Sequence, residues 1–175
     1  MTATPRPRAM IDTQQMTPCE KLLDSGIEDP KPIIALCGET IRFLSSFYSF
    51  AAIFKVYFDR GTVFASVFVA EIEVRDVGPQ SVWVIIGDGP PAILMSHVKN
   101  GAEALYTYCY CLTKWVSKAR LKEDLRKEMP VLAKDTYKPL RPSGHVFAMI
   151  EERVRFIEDE MLVHWRDEIP QLQGS

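Results

Sequence analysis

The chain lacks two features that would define its partners. Its uninterrupted apolar runs fall well short of the roughly 18 residues of a membrane-spanning helix, which argues against a membrane. It has no basic excess, because 21 Lys and Arg face 23 Asp and Glu, for a formal net charge of -2. Broad nucleic-acid binding needs a strong positive field, so the composition also argues against nucleic acid. Residues 1–8 lack the apolar core of a secretion signal, which predicts a cytoplasmic location.

Residues typical of reactive sites are also few. Histidine, the usual acid–base group near neutral pH, occurs only at His97, His145 and His164. No serine has the flanking glycines of a hydrolase nucleophile. Residues 87–89 (Gly-Asp-Gly) precede two prolines, whose missing N–H groups spoil a phosphate cradle. These absences favour a non-catalytic protein that has no cofactor.

Cysteine is present but offers no metal-binding pattern. The four cysteines are Cys19, Cys37, Cys109 and Cys111. An even number permits two disulfides, but without a secretion signal we expect reduced thiols. Cys109 and Cys111 lie two apart in a helical pattern and therefore point to different sides of the helix, so we predict no metal site.

The segment 51–96 contains four short apolar runs separated by turn signals at 59–61, 77–80 and 88–91. The predicted strands are 52–58, 62–74, 81–86 and 92–96. Connections this short require antiparallel pairing. The first half of the second strand is apolar on both faces, which predicts a sheet that is covered on both sides there.

Helical patterns surround this meander. Before the meander, one predicted helix starts at Thr17-Pro18-Cys19-Glu20 and ends near Gly26, and a second begins after Pro30 or Pro32. After the meander, a helix capped by Asn100 runs to about 120, with a possible continuation over 121–128 that Pro130 stops. The last predicted helix runs from Ser143 to about 165. We therefore predict an α+β fold with N-terminal helices, a four-stranded antiparallel β-meander and two C-terminal helices packed on the sheet. One domain covers 16–170, between a disordered tail at 1–15 and a flexible C-terminus at 171–175.

The helix after Asn100 has more apolar surface than one sheet face covers. Tyr106, Tyr110 and Thr113 form a second stripe beside its core stripe, which suggests either a central helix or an oligomer contact. Trp165 lies just past the apolar stripe of the last helix and is a candidate exposed anchor. We predict partner binding at these three residues, with a homodimer as the first expectation and another protein partner as a further possibility.

A different site is suggested near the fourth strand. His97 follows this strand, next to Ser96 and nine residues beyond Asp88. The stiff turn at 88–91 is a candidate ligand contact, so Asp88 and His97 are our predicted ligand-binding residues. Ser96, His97 and Asp88 also suggest a hydrolytic set, although adjacent residues in an extended chain point to opposite faces, which opposes a bond between Ser96 and His97.

Three hypotheses about function follow. The first is a non-catalytic protein-interaction or ligand-binding module that self-associates. The alternative is a small hydrolase-like enzyme that uses His97 and Asp88. The third is an anion- or nucleic-acid-binding surface along 114–141, where nine basic residues face four acidic ones. Solvated helix faces that attract each other explain this last segment more simply.

Overall fold

The computed structural model describes residues 10–94 and 97–174. Its centre is a five-stranded antiparallel sheet in which the strands lie in chain order. The strands are β1 (Thr17–Pro18), β2 (Phe50–Gly61), β3 (Ala65–Val74), β4 (Gly78–Gly87) and β5 (Ala92–Leu94). The α-helices are α1 (Lys31–Ser45), α2 (Gly101–Arg120) and α3 (Gly144–Glu160). The 3₁₀ helices are Cys19–Asp24, Leu162–His164, Arg166–Glu168 and Pro170–Leu172. The predicted α+β class and antiparallel meander are confirmed.

The sheet is the middle layer between two hydrophobic cores. Successive side chains of a strand point to opposite faces, and both faces of β3 are apolar. Val67 and Val69 join the core formed with α2 and α3. Phe68 and Ile72 join the core formed with α1 and the first 3₁₀ helix. The predicted cover on both sides of this strand is therefore confirmed.

The number of strands is a correction, because the sheet has five strands rather than the predicted four. We expected Thr17 and Pro18 to begin a helix, but they form β1, in which Thr17 is opposite Phe58 and Pro18 is opposite Tyr57 of β2. Proline has no N–H group to donate to a sheet, and it is tolerated on an edge strand such as this one. The expected helix is the 3₁₀ turn over Cys19–Asp24.

The long helix α2 has the predicted bounds. Asn100 Oδ1 accepts the N–H of Glu103 at 2.9 Å, which caps the first turn. The predicted continuation over 121–128 is wrong. Lys122 adopts the left-handed backbone conformation, with φ at 55°, and such a residue ends a helix. Helix α3 begins after Ser143 and ends at Glu160, before the three short 3₁₀ helices of the C-terminus.

A disulfide joins two of the cysteines, which corrects the expectation of reduced thiols. Cys19 in the first 3₁₀ helix is bonded to Cys37 in α1, across a sequence separation of 18. Cys109 and Cys111 are free. In residues 10–94 and 97–174, no helix is both long and apolar enough to cross a membrane.

The chain ends were predicted to be flexible, and that stays a prediction. Residues 1–9 and 175 lie outside the described part of the chain. The N–H of Ile11 donates to Ser81 Oγ of β4 at 2.7 Å. Leu172 packs against the core on the α2 side. Residues near both ends thus contact the domain in the structure.

Candidate interaction site

The two predicted tyrosines of α2 line one surface cavity. Tyr106 and Tyr110 are four residues apart and so lie on the same side of the helix. Tyr106 is half-buried, whereas Tyr110 is 58% exposed. The cavity has a volume of about 250 Å³. Its other lining residues are His97, Val98, Glu103, Thr107 and Gln171.

Tyr106 also lines a second cavity. It has a volume of about 340 Å³. Apart from Tyr106, its lining residues are Glu158, Asp159, Leu162, Val163, Arg166 and Leu172. We call the two cavities together the tyrosine trough, because Tyr106 lines both. Its walls come from residues 97 and 98, α2, the end of α3 and the C-terminal 3₁₀ helices.

Glu103 fixes one wall of the trough. This side chain is buried, with 8% of the residue exposed, but both of its oxygens accept hydrogen bonds. Oε2 accepts the N–H of Lys99 at 2.6 Å, and Oε1 accepts from Nε2 of Gln171 at 3.0 Å. Burial of a carboxylate is costly without such partners. Glu103 therefore holds both the loop before α2 and the C-terminal segment in place.

Arg60 holds the same C-terminal segment from β2. Its Nη1 and Nη2 donate to the two carboxylate oxygens of Glu168 at 2.7 and 3.2 Å, and its Nε donates to Asp59 at 2.6 Å. Burial opposes the charge of Arg60, but the hydrogen bonds to Glu168 and Asp59 outweigh it and raise the pKa of the guanidinium. Asn100 adds a hydrogen bond from Nδ2 to the Glu168 carbonyl at 2.8 Å.

The third predicted partner residue, Trp165, lies beside this arginine. It is half-buried against the core, and the Arg60 guanidinium is 5.2 Å from the centre of its ring. The ring thus helps to anchor the C-terminal segment. Whether Trp165 also contacts a partner stays a prediction.

The structure separates the two predicted ligand-binding residues. His97 is exposed and lines the trough. Asp88 lies beside Lys134 Nζ at 3.9 Å and Arg153 Nη1 at 3.8 Å. Among the described residues, neither a hydrogen bond nor an ion pair connects His97 with Asp88. Ser96, the remaining member of the hypothetical hydrolytic set, lies outside the described residues.

Two buried side chains of α2, Tyr108 and Cys109, are unsuited to acid–base or nucleophilic catalysis. The hydroxyl of Tyr108 donates to the Pro90 carbonyl at 2.7 Å, and burial raises the pKa of this phenol far above its usual range. Burial also raises the pKa of the Cys109 thiol. Both groups therefore stay neutral and serve the core.

Part of the basic segment 114–141 is neutralised within the chain. Lys118 and Lys114 contact Glu128 at 2.6 and 3.5 Å, and Arg120 pairs with Glu151 of α3. Of these contacts, only the one between Arg120 and Glu151 joins two helix faces, because Glu128 lies outside the helices. The described residues contain no group of three or more His, Cys, Asp or Glu side chains that could hold a metal ion.

Sequence reasoning missed most residues of the trough, among them Glu103, Thr107 and Gln171. Asn100 followed three positions later by Glu103 is a capping pattern, and it was the available signal for Glu103. Gln171 had no local signal, since its role depends on a contact 68 positions away.

No family model, curated protein or solved structure matches this chain.

Proposed function

We propose that this protein is a non-catalytic interaction module that forms a homodimer through the tyrosine trough. The observation that carries the proposal is the position of Tyr110, an exposed aromatic ring at the rim of a cavity that it helps to line. A two-fold symmetric interface uses the same patch of both copies, so the patch must be complementary to itself. A projecting ring beside a cavity meets that requirement.

The chemistry of the cavity suits a tyrosine from a second copy. Val98 and the ring of Tyr106 offer apolar contact, while His97 and Thr107 offer polar groups. Among the described residues, neither of these two side chains has a hydrogen-bond partner. They are therefore available to the hydroxyl of an inserted ring, and buried tyrosine hydroxyls usually need such a partner.

The test is the dimer dissociation constant from sedimentation equilibrium over a concentration series. We expect Tyr110→Glu to raise this constant by at least about thirtyfold, the effect of losing an interface hot spot worth about 2 kcal/mol. Tyr48→Glu is the matched control, because Tyr48 is an exposed tyrosine just before β2, outside the trough. Equal constants for the two variants would contradict the assignment of the interface.

A small-molecule ligand in the same trough is a second candidate. The observation in its favour is the set of polar groups that surround Tyr106, with Glu158 and Asp159 in one cavity and His97 in the other. Native mass spectrometry of protein purified from its own cells tests this candidate. Additional mass that disappears in a Tyr106→Ala variant would favour a ligand over a second copy.

The small hydrolase that uses His97 and Asp88 stays an alternative, without support from a contact between these residues. Its test is loss of turnover in a folded His97→Ala variant. The cytoplasmic location stays a prediction as well. Disulfides persist in oxidising compartments, so a Cys19–Cys37 bond that is intact in cells would argue against that location.

A further inference from the structure

The two cysteines of the disulfide differ in their exposure. Cys37 is buried in α1, with 5% of the residue exposed, whereas Cys19 is partly exposed and lines a surface groove. We propose that this bond is a site of thiol–disulfide exchange and that a dithiol attacks it at Cys19. A thiolate must reach the sulfur that it attacks, so access makes the reaction directional.

The groove next to Cys19 provides that access. It has a volume of about 440 Å³. Its other lining residues are Glu20, Ile41, Ile53, Phe54, Lys55 and Val56. Lys55 Nζ lies 3.3 Å from Glu20 Oε1, so the two charges in the groove oppose each other and the groove has no excess of negative charge that would repel a thiolate. Its apolar walls suit the carbon chain that carries the attacking sulfur.

The exchange is balanced in atoms and electrons. One thiolate of the dithiol attacks Cys19 Sγ, the Cys19–Cys37 bond breaks, and Cys37 leaves as a thiolate that takes up a proton. The second thiolate of the dithiol then attacks the dithiol's first sulfur in the mixed disulfide, and Cys19 leaves as a thiolate that takes up a proton. The protein disulfide is reduced by two electrons, and the dithiol becomes a disulfide.

Other contacts hold the same segment when the bond is open. Leu22, in the middle of the first 3₁₀ helix, is fully buried in the core on the α1 side. Thr17 and Pro18 pair with β2. We therefore expect a folded reduced form, which makes the exchange reversible. This site belongs to the α1 face of the sheet, whereas the tyrosine trough belongs to the opposite face.

The first experiment treats the folded full-length protein with dithiothreitol in native buffer. Free thiols are then alkylated with N-ethylmaleimide and located by peptide mass spectrometry. We expect Cys19 and Cys37 to become labelled at a rate proportional to dithiol concentration, with an unchanged circular dichroism spectrum. Labelling that requires a denaturant would overturn the proposal.

The second experiment identifies the attacked sulfur. Glutathione, a monothiol, leaves a mixed disulfide on the cysteine that it attacks, and acid quenching preserves this adduct in the wild-type protein. We expect at least about tenfold more adduct on Cys19 than on Cys37, in keeping with the dependence of thiol exchange on access. Equal adducts, or more on Cys37, would contradict directional attack.

A groove variant separates access from general loosening of the fold. Ile41→Trp adds bulk at the groove wall, and we expect it to slow glutathione attack on Cys19. Leu121→Trp is the control, because Leu121 is also exposed but follows α2, on the other side of the sheet. Equal slowing by both variants, or no slowing by Ile41→Trp, would contradict attack through the groove.

Discussion

Tyr106 and Tyr110 stand one helical turn apart on α2, the first half-buried in the wall of a cavity and the second exposed at its rim. This pair places a projecting ring and a space of about 250 Å³ on one surface. In the proposed dimer, the ring of each copy fills the cavity of the other. Loss of the ring and loss of the space should therefore weaken the same contact.

Filling the cavity tests whether the dimer needs the space that receives the partner's ring. Thr107→Trp leaves Tyr110 in place but occupies the space that its partner ring needs. We expect the dimer dissociation constant to rise by at least about thirtyfold, as for removal of a hot spot. Sedimentation equilibrium measures it. Thr136→Trp, at an exposed threonine outside α2 and outside the trough, is the matched control. An equally weakened control dimer would argue against cavity filling as the cause.

Loss of Arg60 should loosen the C-terminal segment. Arg60→Ala removes the paired hydrogen bonds to Glu168 and leaves the carboxylate of Asp59 without its partner. We expect a loss of about 2 kcal/mol in the free energy of unfolding, as is typical of hydrogen bonds between charged groups. Urea titration followed by circular dichroism measures it.

Arg126→Ala is the control for that experiment. Arg126 also bonds a carboxylate, that of Asp124, but its side chain is 89% exposed. Exposed ion pairs contribute little, so we expect a change below about 0.5 kcal/mol. Similar losses in the two variants would show that Arg60 does not anchor the C-terminal segment.

The disulfide should contribute strongly to stability. Its cysteines are 18 positions apart, and closing a loop of this size stabilises a protein by about 3 kcal/mol in the chain-entropy account. We expect the double variant Cys19→Ser with Cys37→Ser to lose about that much free energy of unfolding in urea titrations. Cys111→Ser, at a free and partly exposed cysteine, is the control. An unchanged double variant would show that the bond stabilises nothing.

Glu128 should make stability depend on pH in the acid range. The hydrogen bond from Lys118 lowers the pKa of Glu128 below its ordinary value of 4.5, against the opposing effect of burial. A carboxyl group with a lowered pKa in the folded state stabilises the protein above its unfolded pKa, and this contribution disappears as pH falls through the folded pKa. We therefore expect Glu128→Gln to flatten the acid side of the stability curve.

Urea unfolding at a series of pH values, from neutral to well below the ordinary glutamate pKa of 4.5, measures this effect. Asp135→Asn is the control, because Asp135 is exposed and has no ion pair among the described residues. If the Glu128→Gln and wild-type curves have the same shape, the ion pair with Lys118 does not contribute to folding.

The parts of the fold with strong local patterns were predictable. Asn100 and the apolar stripe after it defined α2, and glycine and proline turns divided the long strands. Strand β1 was not predictable, because two residues show no periodicity and depend on Tyr57 and Phe58, about 40 positions away. The disulfide was missed for a similar reason, since an even number of cysteines does not reveal which of them meet.

The candidate site was only partly predictable. A second aromatic stripe on α2 indicated Tyr106 and Tyr110 from the sequence alone. The position of His97 beside them depends on residues 97–100 before α2, where the N–H of Lys99 bonds Glu103, and that of Gln171 depends on the anchoring of the C-terminal segment by Arg60. Contacts between such distant segments are set by tertiary packing rather than by a local pattern.

The most direct test of the account is native mass spectrometry of the full-length protein, purified from its own cells and sprayed at micromolar concentration from a volatile buffer. We predict a main species at twice the chain mass of 19.9 kDa, without additional bound mass, and its conversion to single chains by Tyr110→Glu. A wild-type protein with the mass of one chain would contradict the homodimer. A single chain with additional bound mass would contradict it as well and would favour a ligand as the occupant of the trough.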